Sequence, residues 1–264
     1  MLSKLFVFIL LLNSVIFADN LVNICDDKSE WPPYSYYQRV NGKIDKTKLT
    51  GAVTELLSKI FKSIGIKYKI DMIPWKRCLY LVEHYSKTNK YEMFINGSYS
   101  KKRVEKYDIT EPIYYTSKAI FYAIKKFPNG ILKDNKFDIN RYKLCDVHGY
   151  NLDVYYNEYG LDKNKKVDQG ARSVYDVLRK VQRGRCDVFI VSLPVVLGAI
   201  SIGKYSMPKG VKYQKYLGIK PTPFYIYVSK ESPRAKELIK KINSAIVALK
   251  KNMEYQKIFD KYIK

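Results

Sequence analysis

Apolar and polar positions follow two rhythms along this chain, and the rhythms alternate often enough to predict an α/β protein. Residues 21–25, Leu-Val-Asn-Ile-Cys, form the short apolar run of a buried strand. It leads into a turn-rich aromatic segment, Glu30-Trp31-Pro32-Pro33-Tyr34. After Gly51, the residues Val53, Leu56, Leu57, Ile60, Phe61 and Ile64 recur at spacings of three and four. That spacing predicts a helix with one apolar face, and Gly65 is placed to stop it. Ile66, Tyr68, Ile70 and Met72 alternate with polar residues, the period of a half-buried strand. Pro74 ends the strand, and a second helix is expected from about Arg77 to Tyr85. Strand–helix–strand–helix order implies parallel pairing.

The pattern returns in the second half. Residues 142–147 read as a strand. Ser173 is placed to cap a helix carrying Val174, Val177, Leu178 and Val181, with Gly184 as its stop. Cys186 to Val191 is a nearly continuous apolar run, as expected of a strand covered on both faces. Phe224 to Val228 is a further strand. Ser232-Pro233 is expected to open a last long helix, whose apolar face is Leu238, Ile239, Ile242, Ala245, Ile246 and Leu249. No internal repeat and no low-complexity linker separates the halves, so two closely joined α/β units are expected.

The N-terminus adds a compartment. Lys4 precedes an apolar run from Leu5 to Leu12, and Ile16 and Ala18 make a cleavage pair before Asp19. This is the layout of a secretory signal peptide over residues 1–18. The run is shorter than the roughly 20 apolar residues of a membrane span. The processed chain of about 245 residues, enough for two modest domains, is expected to lie in the periplasm without spanning the membrane.

Charge changes the picture less than its size suggests. The formal net charge is +23, but 39 of the 48 basic residues are Lys and only nine are Arg. They are spread along the chain, with no arginine-rich cluster to read bases or clamp phosphates. Together with export, this excludes a nucleic-acid partner. The four cysteines, Cys25, Cys78, Cys145 and Cys186, suit an oxidising compartment and allow three pairings. No C-x-x-C spacing occurs, and His84 and His148 are the only histidines, so no metal or other cofactor is expected.

From Ser98 the chain reads S-Y-S-K-K-R-V-E-K-Y-D-I-T-E-P-I-Y-Y. This resembles the signature of the type 2 periplasmic solute-binding proteins, in the family that serves polar amino-acid ABC importers. Arg103, Asp108, Ile109, Thr110, Pro112, Tyr114 and Tyr115 fall on its fixed positions. W-P-P-Y at 31–34, P-W-K-R at 74–77, His148-Gly149-Tyr150, G-R-C-D at 184–187 and the terminal N-M-E-Y-Q-K-I-F-D-K-Y extend the resemblance over nearly the whole processed chain.

The resemblance implies two α/β lobes joined by a two-strand hinge, with a ligand in the cleft between them. Lobe 1 would comprise residues 19–116 and 222–264, and lobe 2 residues 117–221. Disulfides Cys25–Cys78 and Cys145–Cys186 would then each lie within one lobe. Arg103, with its planar fork of donors, would hold a carboxylate. Trp31 and Trp75 would wall the site, Asn96 and Ser98 would supply neutral hydrogen bonds, and Tyr150 and Asn151 would come from the second lobe at a strand end. Asp108 and Asp187 are read as structural, Tyr114 and Tyr115 as lining the lobe crossing, and His148 as a loop residue.

One position departs from the family. Where amino-acid binders carry an acid that pairs with the ligand's ammonium, this chain has Ser192. An unpaired buried ammonium is costly. Either Asp26, Asp27, Glu30 or Asp153 replaces that acid, or the ligand is not an ordinary α-amino acid.

The expected function is therefore binding of a small carboxylate-bearing solute, an amino acid or related organic acid, by a monomer that serves an ABC permease and ATPase. No catalytic residue is assigned. Two other classes fit the same fold: a cleft enzyme of the cyclohexadienyl dehydratase type, and a ligand-sensing module for a separate membrane receptor.

Overall fold

The computed structural model describes residues 21–134 and 136–263. The expected signal segment and its cleavage point lie outside the described residues. The strands are β1 (Leu21–Asp27), β2 (Tyr36–Val40), β3 (Lys43–Thr50), β4 (Lys67–Ile73), β5 (Met93–Ser98), β6 (Tyr107–Ile109) and β7 (Tyr114–Thr116). After them come β8 (Lys118–Ala123), β9 (Leu144–Val147), β10 (Val167–Ala171), β11 (Val188–Ser192), β12 (Val211–Lys215) and β13 (Thr222–Ser229). The helices are α1 (Ala52–Ser63), α2 (Trp75–Glu83), α3 (Tyr85–Thr88), α4 (Lys101–Lys106) and α5 (Asp153–Asn157). They continue with α6 (Val174–Gln182), α7 (Leu193–Ser201), α8 (Ala235–Lys251) and α9 (Glu254–Tyr262). None is long and apolar enough to cross a membrane.

Two sheets organise the molecule. In the first the order is β4-β1-β5-β13-β6, with β7 also paired to β13. In the second it is β10-β9-β11-β8-β12. The parallel pairing expected from strand–helix alternation holds for β1 with β4 and β5, and for β9 with β10 and β11. Strand β13 lies antiparallel to β5, β6 and β7, so the chain's last strand closes the sheet that its first strand began. The main chain crosses between the sheets twice, from β7 to β8 and from β12 to β13.

The helices form where the periodicity places them. In α1, Val53, Leu56, Leu57 and Ile60 are fully buried and Phe61 nearly so. Gly65 takes φ +67°, a left-handed stop that a side chain would strain. In α6, Ser173 Oγ accepts from the Asp176 N–H at 3.2 Å, while Val177, Leu178 and Val181 are fully buried.

Some ends differ from the sequence reading. Helix α2 begins at Trp75 rather than Arg77, because Pro74 supplies its N-cap, and it stops at Glu83, before the separate turn α3. Ser232-Pro233 does not open α8. Ser232 Oγ instead donates to the buried Glu92 carboxylate at 2.6 Å, and the helix starts at Ala235.

Both expected disulfides are present, with Cα–Cα separations of 5.7 Å for Cys25–Cys78 and 5.8 Å for Cys145–Cys186. The first ties β1 to α2. The second ties β9 to the residues leading into β11. The structural readings of Asp187 and Tyr114 also match: Asp187 accepts from Lys126 Nζ at 2.5 Å and from the Lys143 N–H at 2.9 Å, and Tyr114 is buried beside the crossing. Tyr115 is 58% exposed.

Candidate functional site

A cleft lies between the sheets. All eight residues expected to meet a ligand line it: Trp31, Trp75, Asn96, Ser98, Arg103, Tyr150, Asn151 and Ser192. The parallel architecture explains the convergence. Strands β1, β5, β9 and β11 all end here, where an open α/β sheet leaves room beyond its strand ends.

Arg103 sits on the short helix α4 and stands among aromatic rings. Its guanidinium carbon is 5.5 Å from the Trp75 ring centroid and 6.0 Å from that of Tyr227. One nitrogen, Nη1, donates to Ser98 O at 3.0 Å. No described carboxylate forms an ion pair with it; Glu105, its sequence neighbour, does not reach it. Burial lowers its pKa from the ordinary value, a sign that the charge lacks solvent. Gly97 helps to shape this seat. A Cβ there would lie 2.5 Å from the Tyr227 ring, which stacks on Phe94 at 4.6 Å.

The other residues divide by what already holds them. The Asn96 amide is committed within the wall: Nδ2 donates to Asp26 Oδ2 at 2.7 Å and to Ser35 Oγ at 2.9 Å, and Oδ1 accepts from Tyr114 OH at 3.0 Å. Trp31 Nε1 donates to Tyr114 OH at 3.1 Å, so its indole edge is fixed while its ring faces Tyr150 and Phe224 at 5.7 and 5.9 Å. Ser192 is 2% exposed, and its hydroxyl is 2.5 Å from Thr116 Oγ1. That contact ties the end of β11 to the chain crossing.

Several residues bridge the cleft. Trp75 Nε1 donates to Gly149 O at 3.1 Å. Asn151 Nδ2 donates to Tyr99 O at 2.5 Å and to Ser98 Oγ at 3.3 Å. Tyr150 OH donates to Asp27 Oδ2 at 3.4 Å. Beyond the cleft rim, Lys204 Nζ pairs with Glu30 at 3.3 Å and donates to Ser29 O. The two sheets are therefore seen drawn together.

Of the four acids considered as replacements at Ser192, Asp26 and Asp27 line the cleft and the other two do not. Glu30 pairs with Arg39 at 2.7 Å and with Lys204. Asp153 faces a separate groove beside Tyr99 and Tyr225. Burial raises the pKa of Asp26 to about 7, against hydrogen bonds from Ser35 and the Asp27 N–H. Asp27 is also raised by burial, against hydrogen bonds from Ser29.

Three charged or phenolic groups escaped the sequence reading. Lys118 at the start of β8, Asp146 in β9 and Tyr155 in α5 also line the cleft. Burial lowers the Lys118 pKa to about 8 and raises that of Asp146 to about 7. The available signal was a lone charge inside each of two apolar strands. His148 is exposed and does not line the cleft.

Four likenesses to known proteins bear on this geometry. The sequence pattern of the bacterial extracellular solute-binding proteins, family 3, matches residues 23–264. The L-cystine-binding protein TcyA of Bacillus subtilis (strain 168) is 24% identical over 236 residues, covering 88% of this chain and 77% of its own length. Among solved structures, an ancestral arginine-binding protein bound to arginine superposes with a TM-score of 0.70 at 21% identity, over 93% of this chain and 99% of that one. A histidine kinase sensor domain with similarity to periplasmic binding proteins gives 0.70 at 18% identity, over 92% and 96%.

Proposed function

The chain belongs to the bacterial extracellular solute-binding proteins of family 3, and from that premise we propose that it captures a small carboxylate-bearing solute in the cleft around Arg103 and presents it to an ABC permease and its ATPase. The two lobes, residues 19–116 with 222–264 and residues 117–221, close over the ligand, and the signal segment directs the protein to the periplasm. The chain works as a monomer.

One observation carries this reading. Arg103 is a guanidinium in an aromatic enclosure with no carboxylate partner among the described residues. Burying such a charge unpaired is costly, and a ligand carboxylate supplies the missing partner through a bidentate, charge-assisted pair. Asp27 faces the same cleft with only one long hydrogen bond to its Oδ2, and gives a ligand ammonium a counter-charge that Ser192 does not. An amino acid satisfies both.

The experiment is a thermal-shift screen of the purified protein against amino acids, organic acids and aromatic acids. A ligand bound only by the folded state at 100 times its Kd adds about 2.7 kcal/mol, several degrees in Tm. A shift confined to neutral or purely cationic solutes overturns the proposal. Under the same reading the protein releases no aromatic product from prephenate, which separates it from the dehydratase class.

Closure makes a second prediction away from the ligand. Gly198 in α7 packs on the Pro32–Pro33 backbone across the lobe boundary, and a Cβ there would lie 2.9 Å from three of their atoms. Gly198→Ala favours the helix by up to about 1 kcal/mol yet holds the lobes apart. The expected result is an unchanged or higher Tm without ligand and about 10-fold weaker binding in a calorimetric titration, on the ~1–3 kcal/mol scale of overpacking. Equal affinity in the variant would show that this contact plays no part in closure.

A further inference from the structure

We propose that Lys118 and Asp146 form a second head-group subsite on the cleft wall opposite Arg103, so that the preferred solute carries a charged amino-acid head at each end: a diamino dicarboxylic acid. The inference rests on the reading of the cleft as a carboxylate-binding site and goes beyond it, to the length and symmetry of the ligand.

The sheet topology builds the subsite. Strand β11 lies between β8 and β9. Lys118 is the register partner of Ser192, and Val188 is that of Leu144, which sets Ile190 beside Asp146 two residues on. Side chains two apart on a strand share a face, so Lys118 lies with Ile120, and Asp146 with Leu144. The lysine and the carboxylate thus stand on one face of the second sheet with β11 between them. Two strand spacings and a two-residue offset along the strands put their backbones about 12 Å apart.

Each charge feels the other's field, but the two do not pair in contact. No ion pair joins them, and Lys118 Nζ has no hydrogen bond to a described residue. Asp146 Oδ1 accepts from the Val147 N–H at 2.7 Å, and the Tyr155 phenol stands beside the carboxyl. Glu158, at the end of α5, faces Lys118 without touching it. A cation and an anion on one wall, separated and open to the cleft, match the carboxylate and ammonium of one amino-acid head. Arg103 and Asp27 offer the same pair of charges on the other wall.

The middle of the cleft suits what joins two such heads. Trp31, Trp75, Phe224, Ile190 and Val191 line it with apolar surface. A methylene or thioether-like bridge is at home there, sulfur especially against aromatic rings. A single-headed α-amino acid would leave one wall's buried charges without partners.

Calorimetric titration of the full processed protein with matched pairs tests this. L-Cystine is compared with S-methyl-L-cysteine, and meso-diaminopimelate with L-norleucine. The expected result is that at least one two-headed solute binds 30-fold or more tighter than its single-headed counterpart. Lys118→Met, which keeps the length of the stem, and Asp146→Asn should each reduce that preference to less than threefold. The wild-type preference needs no variant, so a misfolded variant does not obscure the answer. Equal affinity for both members of each pair, or an undiminished preference in Lys118→Met, overturns the proposal. If single-headed solutes bind without preference and lose binding in Arg103→Ala, only this inference falls. If no carboxylate-bearing solute binds at all, the proposed function falls with it.

Discussion

The ligand-free protein should melt at a higher temperature at pH 5 than at pH 7, by more than about 5 °C, and be least stable between pH 7 and 8. Asp26 and Asp146 set the acid side of this profile. They are 1% and 4% exposed, and burial holds both carboxyl groups at about 7, against 3.8 for the ordinary group. The folded chain therefore keeps protons there that the unfolded chain has released. Wherever the native state binds more protons, stability falls as pH rises, so the loss runs from about pH 4 and is complete above pH 7. Between pH 5 and 7 this amounts to a little over about 2 kcal/mol for each carboxyl. Half of that for the pair still moves the midpoint by about 5 to 10 °C in a protein of this size.

Lys118 acts on the other side with the opposite slope. Its amine is lowered by burial from 10.5 to about 8. Between those values the unfolded chain holds the extra proton, so stability rises again with pH. Scanning calorimetry from pH 5 to 10 reads the trough directly. Asp146→Asn should roughly halve the acid limb. A profile flat or rising from pH 5 to 7 would show that these carboxylates are ionised in the native protein. Of these groups, Asp146 and Lys118 are the ones a ligand would pair, which links binding energy to the stability of the cleft.

How much of this was legible in the chain depends on how local each signal was. Helix α1 announced itself because five residues at helical spacing point to one buried face. Arg103 stood out because a local motif fixes its neighbours, and α4 and the strands on either side place it where that motif implies. The hairpin of β2 and β3 was invisible. Its second strand, Lys-Ile-Asp-Lys-Thr-Lys-Leu-Thr, has almost no buried position, so no alternation marks it. Helix α7 was missed for the opposite reason. Leu193, Val195, Val196 and Ala199 are buried on one side while Gly198 meets Pro32 and Pro33 on another, leaving little polar face to reveal a period.

The charged wall was hidden by topology. Lys118 and Asp146 are 28 positions apart in sequence and join one face only because β11, from a third region of the chain, inserts between their strands. The acid missing at Ser192 was visible as an absence. That Lys118 lies beside it on one neighbouring strand, and Asp146 beside Ile190 on the other, required the strand order. Asn96 shows the reverse limit. Its position among the motif residues suggested a ligand donor, whereas its amide is spent on Asp26, Ser35 and Tyr114.

The most direct test of the central claim is the affinity of Arg103 variants for the solute found by screening. Truncating one partner of a buried charge pair costs about 2–5 kcal/mol, which is roughly 30-fold to several thousandfold in Kd. Arg103→Ala should therefore reduce binding by at least about 30-fold. Arg103→Lys keeps the charge but not the planar fork, and should recover only a small part of it. The guanidinium also packs on Trp75 and Tyr227, so Arg103→Met, which preserves most of that packing, controls for lost structure. Isothermal titration of these three variants beside the wild type, each first shown to melt cooperatively, decides the matter. Loss of binding in Ala and Met with partial recovery in Lys is the result this account predicts. An Arg103→Ala protein that binds within threefold of wild type would contradict it.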